Sequence, residues 1–76
     1  MEPIQQKGIE YFFEKYNIQD PDKKAAILPR VTHIIYDYNM LVVSLEKELE
    51  HYKREQIIRD IQELEQGIDA IFQDSL

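Results

Sequence analysis

Glu48 and His51 stand one helical turn apart as Glu-x-x-His, the pair that carboxylate metal sites in helical bundles are built from. A symmetric dimer would supply the pair twice. Such ligands must point into a bundle core. Here Glu46, Lys47, Glu50, Lys53 and Glu55 surround the pair, the composition of a solvated helix face. His33 and Asp37 form a second His–carboxylate pair, again one turn apart. Two ligands fall short of the three or four that zinc takes, so a salt bridge is the expectation at that pair.

Ser44 and Ser75 are accompanied by neither a base nor an oxyanion device. Gly8 and Gly67 are isolated and make no phosphate-binding loop; Gly67 is read as permitting close helix packing or a local bend. The residues thus point to no catalytic, metal or cofactor site and to a protein that is not an enzyme.

The elements that would carry any site follow from punctuation and periodicity. Two glycines and three prolines in 76 residues are too few turn-formers for a sheet protein. The fold class expected is all-α: a single domain forming a small helical bundle, or a helical hairpin with one long central helix, completed by dimerisation. The spacing predicts a first helix over 3–16, opening at Pro3, with Ile9, Phe12, Phe13 and Tyr16 on one face. Asn17 can close it in the left-handed conformation, and Asp20-Pro21 reads as a cap and first turn. A short helix over 21–28 then meets Pro29, where a kink or a fresh start is expected.

The long helix is placed at 30–50. Ile27, Val31, Ile34, Tyr38, Leu41 and Leu45 mark its seam, and Leu49 and Tyr52 extend it. Val, Ile, Thr and Tyr favour strands, but the seam outruns a strand and continues into helix-forming residues. A C-terminal helix over 55–73 carries Ile57, Ile61, Leu64, Ile68 and Ile71. Between the two seams "EHYKREQ" is read as a bend joining antiparallel helices, in preference to an exposed turn of one helix that changes partners.

Within the long helix Tyr36, Met40 and Val43 project almost opposite the main seam. They are either exposed apolar residues of the ordinary kind or the face that meets a second subunit or another protein. Tyr11 and Tyr36 lie off the predicted seams, and outward aromatics anchor interfaces. The partner-binding candidates are therefore Tyr11, Tyr36, Met40 and Val43. Asn39 near such an edge could fix register.

Charge narrows the partners. Four of the six excess negative charges fall in residues 57–76, and such a field repels phosphate backbones. Direct nucleic-acid binding is not expected. An acidic inhibitor that mimics nucleic acid and blocks a DNA-binding protein is the alternative, with Asp60, Glu63, Glu65, Asp69 and Asp74 standing for phosphates; the plainer reading is that these acids keep a helix soluble.

The absence of cysteine and of an export-like N-terminus suggests a cytoplasmic protein. His33, Asp37 and Asn39 interrupt the most apolar stretch, so no membrane segment is expected. The function expected is that of a non-enzymatic protein–protein interaction or regulatory module acting through a helix face. Its partners would be a second copy, forming a homodimer, and a protein the residues do not identify.

Overall fold

The computed structural model describes residues 4–76, which form three helices and, among the described residues, no strand. An extended run over 4–8 leads into α1 (Ile9–Lys15), then come α2 (Pro21–Lys47) and α3 (His51–Asp74). The two long helices form an antiparallel hairpin, residues 4–18 lie along one side of it, and the whole is about 44 Å long. The predicted helix start at Pro3 lies outside the described residues.

α1 is shorter than its apolar pattern suggests because the backbone ahead of it is used elsewhere. The Lys7 amide donates to Asn39 Oδ1 at 2.8 Å, and Asn39 Nδ2 donates to the Lys7 carbonyl at 2.8 Å. Both polar groups of that residue are thus committed to α2 and not to a helical turn, and helix begins after Gly8. Asn39 therefore fixes a segment of its own chain. At the other end α1 closes as a Schellman motif: Ile18 N–H bonds to the Phe13 carbonyl at 2.8 Å and Asn17 N–H to that of Glu14 at 3.1 Å. Asn17 takes φ 54° there, and Ile18 drops into the core.

Asp20 caps α2 by accepting from the Asp22 amide at 3.0 Å, and Pro21 occupies the first turn. The two helices expected over 21–28 and 30–50 are one, running through Pro29. A proline ring removes the bond to the carbonyl four residues earlier. Ala25 and Pro29 are both exposed, so water can take that carbonyl and the helix persists.

The chain leaves α2 at Glu48, earlier than the predicted 50–56 bend, and re-enters helix at His51 instead of residue 55. No glycine or proline makes this turn. Arg54 Nη1 donates to the carbonyls of Leu45 at 2.6 Å and Glu48 at 2.9 Å, taking up acceptors that the end of α2 leaves open. Glu48 Oε1 meanwhile accepts from the Leu49 and Glu50 amides, both at 3.2 Å.

The core joins Phe12, Phe13 and Ile18 to Ile27, Val31, Ile35, Tyr38, Val42 and Leu45 of α2 and Ile61, Ile68 and Phe72 of α3. The α2 seam is rotated from the predicted one: Ile35 and Val42 are buried, while Ile34 and Leu41 are half-buried on its flank. Leu49 and Tyr52 do not extend it. They are 91% and 76% exposed, because the helix has already ended. Phe72 stacks on Phe12 and Tyr16 with centroids 5.6 and 5.3 Å apart, tying α1 to α3.

Replacing Arg54 by Ala should lower the unfolding free energy by about 2 kcal/mol, the scale of charge-assisted hydrogen bonds to partly buried carbonyls. Asn39→Ala, which strands two backbone groups of Lys7, should cost about 1–3 kcal/mol. Urea titration followed by circular dichroism measures both.

Candidate protein-binding surface

The α2–α3 hairpin has two flanks. On a helical projection of about 100° per residue, Asn39 of α2 and Glu65 and Asp69 of α3 face one of them, and the N-terminal arm closes it. Lys7 Nζ reaches Glu65 at 3.2 Å, Lys15 Nζ reaches Asp69 at 3.1 Å, and the Tyr16 hydroxyl donates to the same Asp69 carboxylate. Lys7 also lies over the rings of Tyr11 and Tyr38, at 4.9 and 5.4 Å.

These contacts set the local pKa values. Burial alone would lower the Lys7 ammonium, but the hydrogen bonds to Glu65 and Tyr38 outweigh it and hold it above its ordinary 10.5. Lys15 is raised in the same way, burial being outweighed by Asp69. Burial and then Asp69 push the Tyr16 phenol up, and burial raises that of Tyr38 against the opposing pull of Lys7.

The opposite flank is open. A groove of about 470 Å³ runs there, with Asp37, Met40, Leu41 and Ser44 of α2 on one wall and Asp60, Glu63 and Leu64 of α3 on the other. Its floor is apolar and its rim carries three carboxylates. Gly67 lies half-buried further along α3. A Cβ built there meets no atom within 4 Å, so no packing within the chain requires this glycine.

Tyr36 is 61% and Met40 48% exposed, and Val43 is half-buried; the three share a stripe of α2. Met40 belongs to both the stripe and the groove. Tyr11 stands apart on α1, exposed, with its edge on Phe12. Of the five acids proposed as phosphate mimics, Glu65 and Asp69 are held by Lys7 and Lys15, Asp60 and Glu63 line the groove, and Asp74 is exposed at the end of α3.

The Glu48–His51 pair is dismantled by the turn. Glu48 serves the end of α2, while His51 opens α3 and pairs with Glu55 at 3.1 Å. His33 and Asp37 form an exposed ion pair at 3.3 Å. Among the described residues no three His, Cys, Asp or Glu side chains gather where a metal could bind, and no helix is long and apolar enough to cross a membrane.

The groove residues Leu41 and Leu64 are hidden in the sequence because each also sits on a hydrophobic seam. Asp37 reads there as half of a local ion pair. They become a surface only when the turn at Glu48–Glu50 folds the two projections against each other. Comparison with protein-family models, curated proteins and solved structures finds no match to this chain.

The arm should be released in alkali. Lys7, Lys15, Tyr16 and Tyr38 all have folded pKa values raised above their ordinary 10.5 and 10.0. Their contribution is fully present below those values and is lost as pH climbs through the higher folded ones. Hydrogen exchange of residues 9–15 should therefore show arm opening above about pH 10.5. Asp69→Asn should weaken docking already at neutral pH.

Proposed function

We propose that this chain is a non-enzymatic interaction or regulatory module that works through the uncovered face of α2 and pairs there with a second copy of itself. One observation carries the reading: Tyr36 and Met40, 61% and 48% exposed, stand with the half-buried Val43 on one stripe in the middle of α2, whereas the other large apolar residues left exposed, Leu28 apart, lie on α1, in the turn, at the start of α3 or at its end. A small domain exposes a large share of its surface and gains most from association. Tyr36 and Tyr11 are the side chains suited to anchoring a further protein. With no cysteine, the module is read as cytoplasmic.

Mimicry of nucleic acid finds less support, because Glu65 and Asp69 are neutralised by lysines of the same chain. Binding through an apolar face would also survive added salt, whereas binding by mimicry would fall steeply.

Light scattering across concentration should give a mass twice that of one chain. Met40→Glu, at the residue the stripe shares with the groove, should shift it to that of a monomer. The change removes apolar burial worth about 1.5–3 kcal/mol per side chain, at least a tenfold loss of affinity. Circular dichroism should be unchanged, since Met40 is not in the core. A single-chain mass at every concentration would refute self-association.

A further inference from the structure

The open flank of α2 carries one arrangement twice, with opposite charge. Near the start of α2, Lys23, Ala26, Ile27 and Arg30 line a depression of about 220 Å³ beside Ser75. About four helical turns further along, on the same side, Asp37, Met40, Leu41 and Ser44 form the α2 wall of the larger groove. The first set has two cations, and neither Lys23 nor Arg30 makes an ion pair among the described residues. The second has Asp37, faced across the groove by Asp60 and Glu63. Along α2 the flank thus carries two cations toward the open end of the hairpin and a carboxylate toward its turn, with the two centres about 20 Å apart.

A surface with a positive half and a negative half on one helix is complementary to itself when turned end for end. We propose that the open flank is the contact surface of a two-fold homodimer in which α2 lies antiparallel to the partner's α2, the two hairpins together making a four-helix bundle. This rests on the reading of α2 as the self-associating element; it shares Met40 with the Tyr36–Met40–Val43 stripe and centres the contact on the flank beside that stripe.

With the axis near His33 and Ile34, Arg30 falls opposite the partner's Asp37, Lys23 opposite the partner's Ser44 beside its acidic rim, and the exposed Ala26 opposite the partner's Leu41, next to its Met40. Each contact occurs twice, as an isologous interface requires. A parallel arrangement would set Asp37 on the partner's Asp37 and Arg30 on the partner's Arg30, which like-charge repulsion disfavours.

The chain already uses this recipe on its other flank, where an apolar segment is clasped by Lys7 and Lys15 to carboxylates of α3. In the dimer, Lys23 and Arg30 of each copy do the same for the acids of the open side. Gly67, with free space where its side chain would be, leaves room on the α3 wall for the incoming helix.

The absence of cysteine makes the geometry directly testable. Lys23→Cys and Ser44→Cys chains, both altered at exposed positions, are mixed and treated with a short bismaleimide. The mixture should yield a cross-linked heterodimer, while either variant alone should stay unlinked, equivalent positions being about 30 Å apart.

In parallel, Arg30→Asp and Asp37→Arg should each weaken dimerisation tenfold or more, and the double exchange should restore it. Linking of Lys23→Cys to itself in a dimer, or a double exchange no better than the single ones, would overturn the antiparallel assignment while leaving self-association through α2 standing. A monomer at all concentrations would remove both.

Discussion

The amide of Asn39 is the interaction on which the asymmetry of this molecule depends. Two long helices packed antiparallel have equivalent grooves on either side of their contact line. A side-chain amide that meets both backbone groups of Lys7 selects one of them for the N-terminal arm. Once that pair is made, Lys7 lies within reach of Glu65, Phe12 and Phe13 reach the core, and the opposite groove is left without a covering segment. A hydrogen-bonded pair of this kind contributes modest net free energy but leaves buried groups stranded if broken, so it specifies position more than it adds stability.

Aromatic packing supplies what the amide does not. Phe72 lies between Phe12 and Tyr16 with Phe13 at its edge, so the last turns of α3 and the first helix form a single apolar unit. The lysines then act at the rim of that unit, where partial burial strengthens their pairing with Glu65 and Asp69. Acidic residues that look surplus in composition are in part the fastening of the arm. Three others, Asp37, Asp60 and Glu63, edge the opposite side.

How much of this could be read from residues alone depends on the range of the interaction. Asp20-Pro21 and Asn17 announce their roles because cap and Schellman chemistry are settled within a few residues. The stripe of Tyr36, Met40 and Val43 is equally visible, since it lies across the helix from every seam residue. The rotation of the seam from Ile34 and Leu41 to Ile35 and Val42 is not, because apolar residues occupy both sets of positions and only the packing of α3 chooses between them. Nor is the clamp by Asn39, whose partner is 32 residues away. The start of the turn at Glu48 is not legible either, because its closing group is the Arg54 side chain, where glycine or proline would have marked it. Pro29, an apparent break, is harmless where its missing donor faces water.

The brevity of α1 has a further consequence. Seven residues make about two turns, well short of the roughly 12–15 that an isolated helix needs in water. Detachment of the arm is therefore also its melting, and it would strip the aromatic cover from Phe72 and uncover the Glu65 and Asp69 carboxylates in the same event.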